Sequence, residues 1–183
     1  WFMISFRVFF VGFGGSSLEA ANDTVVFNAS ASDVDIDFGE GADSLSLAKG
    51  ATGATVVAQS GNDTVVAALT LGSSSIQAGA GDDSLSISVL SGSFLKGESG
   101  ADSIDLAKAI SSEVYTNQGN DSITLSGDAT SSTLSGGQGG DSITVGGQVT
   151  GGNIVGNSGA DSINIVGTVN TAYVTGGADN DSM

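Results

Sequence analysis

The chain has 183 residues, with 29 Gly and no Pro, Cys or His. That composition excludes a zinc finger, a haem ligand, an iron–sulfur cluster, a disulfide framework and any catalytic step through His or Cys. Four basic residues against 20 acidic ones, a formal charge of −16, leave no footprint for nucleic acid and a negative charge that needs open solvent or bound cations.

Residues 1–17 read as an apolar N-terminal strand, serving as a cap or a subunit contact. The run Trp1–Phe13 is nearly all apolar, with Arg7 inside it. It is too short for a membrane span, which needs about 20 residues. A secretory signal would show a basic region before its apolar run and an A-x-A-like cleavage site after it, and neither is seen. Ile4-Ser5-Phe6-Arg7-Val8 alternates as a strand does. The chain begins without Met and stops inside a repeat at Asp181-Ser182-Met183, so it is expected to be a fragment.

Residues 18–183 repeat. An Asp recurs at Asp23, Asp43, Asp63, Asp83, Asp102, Asp121, Asp141, Asp161 and Asp181, in steps of 20 or 19. A fixed period of that length marks a solenoid, whose turns pack only on their neighbours. The residue after each Asp is always Ser or Thr, from Thr24 to Ser182. Two after it the residue is always apolar (Val25, Leu45, Val65, Leu85, Ile104, Ile123, Ile143, Ile163, Met183), and four after it apolar again. This is a strand with one buried face. A second apolar column, Ile36, Val56, Ile76, Leu95, Val114, Leu134, Ile154 and Val174, lies seven before the next Asp. Two before the Asp, Gly fills seven of nine places, which predicts positive φ or a close backbone approach. No 3.6-residue pattern survives. The expected fold is all-β: a parallel β-solenoid, a flattened β-roll or β-helix. It has eight to nine turns of about 20 residues, with two short strands per turn. Strands about 4.8 Å apart give a rod of roughly 40 Å.

A column of carboxylates at strand spacing repels itself. The charges could face water, accept backbone N–H groups in their own bends, or share cations between turns. Sixteen of the 20 acids are Asp and Glu never enters the column, so a short carboxylate is required. Asn would serve a turn equally well, yet it never replaces the Asp. Further oxygen donors lie alongside: Glu40, Asp82, Glu98, Asn117, Asn157, Asp179, and Asn at 22, 62, 120 and 180. Carboxylates with carbonyls are the ligands of a hard cation, chiefly Ca²⁺. An ion-free Asp ladder is the alternative.

Gly136-Gly137-Gln138-Gly139-Gly140-Asp141-Ser142-Ile143-Thr144 matches the nonapeptide G-G-x-G-x-D-x-U-x. Looser matches run at 78–86, 97–105, 116–124 and 156–164. The chain thus resembles the RTX, or haemolysin-type, calcium-binding repeats, as a divergent variant of about 20 residues per turn. The resemblance implies a parallel β-roll whose Asp and backbone carbonyls hold several Ca²⁺ ions. It transfers that role to Asp23, Asp43, Asp63, Asp83, Asp102, Asp121, Asp141 and Asp161, and less directly to Asp181. The bend at Ser126–Thr130 lacks the consensus, so one row of ions along one edge is expected. The doubled Gly is mostly lost, with Gln59, Glu98, Asn117 and Asn157 in its second place. The first turn, 18–23, has no Gly.

Asp33, Asp35 and Asp37 alternate with Val34, Ile36 and Phe38 and read as the solvated side of a strand. The lysines read as solubilising charges, and Tyr115 and Tyr173 as outward-facing. The expected function is non-enzymatic and extracellular: a Ca²⁺-stabilised rod of a surface layer, an adhesin or a secreted filament. Its expected partner is itself, in a filament, layer or array, with a surface glycan possible on the hydroxyl face. A viral tail fibre or spike segment is the alternative, and a polysaccharide-active β-helix enzyme a remoter one, since that chemistry needs basic residues.

Overall fold

In a computed structural model, residues 20–183 are described, and the expectations for residues 1–17 lie outside them. The described residues contain strands and no helix, so none is long and apolar enough to cross a membrane. All the strands join one sheet of 19, and every pairing is parallel. Register follows the repeat: Thr24 pairs with Ser44, Ser44 with Thr64, Thr64 with Ser84, and so on to Ser162. The chain is a parallel β-solenoid of about eight turns.

The predicted apolar columns are the core. Leu45, Leu85, Ile104, Ile123 and Ile143 are buried, as are Ile76, Leu95, Val114, Leu134 and Ile154 opposite. A third inward column, not read from the sequence, runs through Ala31, Ala51, Leu71, Leu90, Ala109, Ala129 and Val149. In the first, second and last turns it forms a separate strand, as at Ala31–Ser32. In the five middle turns it merges with a neighbour, as in Thr64–Gly72 or Ala129–Gln138, leaving two strands per turn. Small Ala at most of these positions hid the column, because Ala is compatible with either face.

The two 19-residue steps also have a place. Ala67 pairs with Ile87, but Thr70 pairs with Val89, so one residue is lost in the corner Ala67–Thr70. The residue returns between Leu106, paired with Leu125, and Ala109, paired with Ala129. The change falls in an exposed corner, where Leu69 faces solvent, and the buried columns stay aligned.

Candidate metal centre

The aspartate column points inward. Strand side chains alternate, so Asp43 shares its face with Leu45 and Leu47, and each later Asp repeats this. Asp43, Asp63, Asp83, Asp102, Asp121, Asp141 and Asp161 are 2–3% exposed. Water does not screen them. Asp23 and Asp181, in the first and last described turns, are partly exposed.

Each carboxylate works across turns, not within its own bend. The amide of Asp23 donates to Oδ1 of Asp43, that of Asp43 to Asp63, and the series continues to Asp161 donating to Asp181, at 2.7–3.0 Å. The glycine two places earlier makes the approach possible. Gly41, Gly61, Gly81, Gly100, Gly119, Gly139 and Gly159 all have positive φ, as the sequence predicts. A Cβ on any of them would collide with the backbone of the preceding turn.

The second oxygen is left over. Oδ2 of Asp23, Asp43, Asp63, Asp83, Asp102, Asp121, Asp141 and Asp161 is buried with no hydrogen-bond partner among the described residues. One such group costs about 1–3 kcal/mol, more when charged. The opposite bend shows how a satisfied ladder looks. There Ser74, Ser93, Ser112 and Ser132 each accept, through Oγ, the amide of the residue one turn before. Each hydroxyl then donates to a carbonyl two residues back: Gly72, Ser91, Ile110 and Thr130. The Ser ladder is neutral and complete. The Asp ladder has the same geometry and one acceptor too many per turn. The Ser ladder was readable only as a column of small residues (Ala54, Ser74, Ser93, Ser112, Ser132, Gly152) and carried no chemical signal.

Electrostatics record the same excess. Burial raises Asp83 to about 7, and Asp102 and Asp141 to about 6; the amide bonds oppose this and neighbouring carboxylates reinforce it. Burial likewise raises Asp43, Asp63 and Asp121. Such a carboxylate calls for a proton or a cation.

Backbone oxygen is close by. Four places before each Asp from Asp43 to Asp181 the chain takes positive φ, at Gln59, Glu98, Asn117 and Asn157 as well as at Gly39, Gly79, Gly137 and Gly177. Strand pairing holds at Lys96–Tyr115 and Glu98–Asn117 and breaks between them. It breaks likewise between Ser135–Val155 and Gly137–Asn157. The carbonyl at the break turns into the bend: the Thr116 oxygen lies 3.1 Å from where a Cβ on Gly97 would stand. The side-chain donors expected from the sequence do not gather there. Among the described residues no three acidic side chains form a metal cluster. Asn22, Asn62, Asp82 and Asn120 accept amides of the following turn. Asn117 donates to Glu98, Asn157 donates to Ser135, and Glu40 and Asp179 are exposed. Asp33, Asp35 and Asp37 face outward. A cation in this row would therefore meet carboxylate and backbone oxygen.

Elsewhere the face carries one aromatic pair, Phe94 and Tyr115, with ring centres 5.6 Å apart. Lys96 stands over Phe94 and pairs with Glu98 at 3.2 Å, and Tyr173 is exposed.

Compared with protein-family models, curated proteins and solved structures, the chain matches none.

Proposed function

We propose that this chain is a structural rod stiffened by Ca²⁺, working outside the cell in a surface layer, an adhesin or a secreted filament, with no catalytic role. One observation carries the reading: a buried carboxylate oxygen without a partner among the described residues recurs in every turn from Asp23 to Asp161. Asp23, Asp43, Asp63, Asp83, Asp102, Asp121, Asp141, Asp161 and Asp181 would hold the ions together with carbonyls of the bend. Oxygen-only ligands of this kind suit Ca²⁺ better than Mg²⁺, which keeps its waters. A bound cation supplies the positive charge that the row lacks.

The setting follows from the same chemistry. Without ions the carboxylates must be desolvated against one another, so folding and binding are coupled. A chain with this property can be exported unfolded and can fold where calcium is millimolar. It has no Cys, so calcium takes the part that disulfides play in other secreted chains. Every turn pairs through its backbone with the turns beside it, and the same pairing can join copies into a filament, layer or array. The exposed hydroxyl column, such as Thr64, Ser84 and Ser103, offers a flat face to a surface glycan.

The test is a thermal melt by circular dichroism in a few millimolar CaCl₂ and in excess EGTA. Calcium at 100 times its Kd adds about 2.7 kcal/mol per site. The expected result is a Tm several degrees higher with calcium than in EGTA at neutral pH. Identical melts would overturn the reading and leave a protonated Asp ladder in its place.

A further inference from the structure

The aspartate row is regular, but the corner it faces is not. Five places before each Asp from Asp43 to Asp181 stands a buried residue, and the glycines among these border the corner of the carboxylate. It is Phe38 before Asp43, Ala58 before Asp63 and Ala78 before Asp83. It is Gly97 before Asp102, Thr116 before Asp121, Gly136 before Asp141, Gly156 before Asp161 and Gly176 before Asp181.

The glycine corners are filled by oxygen. A Cβ on Gly97, Gly136 or Gly156 would stand 2.9, 2.8 or 2.7 Å from Cγ of Asp102, Asp141 or Asp161, and nearer still to Oδ2. No real Cβ stands so close, so in these bends the carboxylate uses space that a methyl would take. The next turn adds its carbonyl. At Gly97 this is the Thr116 oxygen, and at Gly156 the Gly176 oxygen, which a Cβ would also strike. At Gly97 and Gly156 carboxylate and carbonyl oxygens thus flank one corner, while at Gly136 the nearest atoms all belong to Asp141.

The other corners are closed. Phe38, Ala58 and Ala78 are each 1% exposed, and each carries the Cβ that at Gly97, Gly136 or Gly156 would meet the carboxylate. Asp43, Asp63 and Asp83 face hydrocarbon there. Thr116 closes its corner differently. Its hydroxyl donates to the Gly136 carbonyl at 2.6 Å, so that oxygen already has a proton.

We infer that the row is divided, and that Ca²⁺ is held only in the glycine-cornered bends of Asp102, Asp141 and Asp161. The bends of Asp43, Asp63 and Asp83, plugged by Phe38, Ala58 and Ala78, and the bend of Asp121, plugged by Thr116, form an ion-free ladder. Asp181 completes a fourth site only where a further turn follows it. The inference rests on the calcium reading above and narrows it, removing Asp43, Asp63, Asp83 and Asp121 from the residues that hold an ion. The N-terminal half of the rod is then held by its hydrocarbon core, and the C-terminal half is switched by calcium.

Calcium titration by isothermal calorimetry, with native mass spectrometry of the loaded chain, tests this. The expected stoichiometry is three strong sites. Gly156→Ala should lose one ion. Because a methyl there could also disturb folding, the reverse change Ala78→Gly is the second arm, and it should gain one ion with the fold intact by circular dichroism. Seven or eight equivalent ions in the unaltered chain, or no change in stoichiometry for Ala78→Gly, would overturn the division and leave the calcium reading standing. No ion at all would overturn both.

Discussion

The amide of Asp121 donates to Oδ1 of Asp141 at 2.9 Å across one turn of the solenoid, while Oδ2 of the same carboxylate has no hydrogen-bond partner among the described residues. One oxygen of Asp141 does structural work and the other is free for chemistry. Most of what can be tested in this protein follows from separating the two.

Substitution of Asp141 separates them directly. Asp141→Asn keeps the acceptor for the Asp121 amide and turns the second oxygen into a donor. Asp141→Ala removes both and leaves that amide unsatisfied. In EGTA the Asn variant should equal or exceed the parent in Tm, and the Ala variant should lose about 1–3 kcal/mol. With calcium, both should gain less than the parent. Denaturant melts with and without the ion decide this, and equal calcium gains in parent and Asn variant would sink it.

Stability without calcium should fall as pH rises. Asp83 titrates at about 7, and Asp102 and Asp141 at about 6, against 3.8 for the ordinary group. Between about pH 4 and 7 the folded chain therefore holds more protons than the unfolded one, and stability declines with pH over that window. The stabilising effect of protonation is complete below pH about 4 and gone above about 7. A Tm series in EGTA should fall from pH 5 to pH 8. With calcium, which competes with protons for the oxygens of Asp102 and Asp141 but not of Asp83, the series should fall less steeply.

The serine ladder should be indifferent to calcium. Ser112 accepts the Ser93 amide at 3.2 Å and donates to the Ile110 carbonyl at 2.8 Å. Ser112→Ala orphans both groups, with an expected loss of about 1–3 kcal/mol that is the same in CaCl₂ and in EGTA. A loss that depended on calcium would show that the two bends are coupled.

Core damage should stay local. Leu134 is fully buried between the Val114 and Ile154 turns. Leu134→Ala should cost about 2–5 kcal/mol. In a solenoid each turn touches only its neighbours, so hydrogen exchange should accelerate around residues 114–154 and not around residues 35–57. Uniform acceleration would mean that the rod opens as one cooperative unit.

The solenoid and its register were legible because they are written in the spacing of one residue. Asp at steps of 20 and 19 fixes which turns pair, and Thr24, Ser44 and Thr64 do pair in that order. The alternation Asp43, Leu45, Leu47 puts Asp in phase with the buried face, but charge argues for solvent, so the sequence alone leaves the charges free to face water. The third column was missed because Ala31, Ala51, Ala109 and Ala129 carry too little hydrophobic signal to mark a face. The flanking Asn and Glu residues looked like ligands because they are near in sequence. Strand alternation and the positive φ at Glu98, Asn117 and Asn157 turn them outward.

By itself, the sequence determined the period, the parallel stacking, the core columns and the identity of the carboxylate row, because repetition forces equivalent residues into equivalent places. Only the tertiary structure decided what each oxygen of that row does. Whether a carboxylate is screened, shared between turns or left without a partner depends on atoms about 20 residues away, brought within 3 Å by one turn of the solenoid. Whether its corner holds the methyl of Ala78 or the bare backbone of Gly156 becomes meaningful only at that distance.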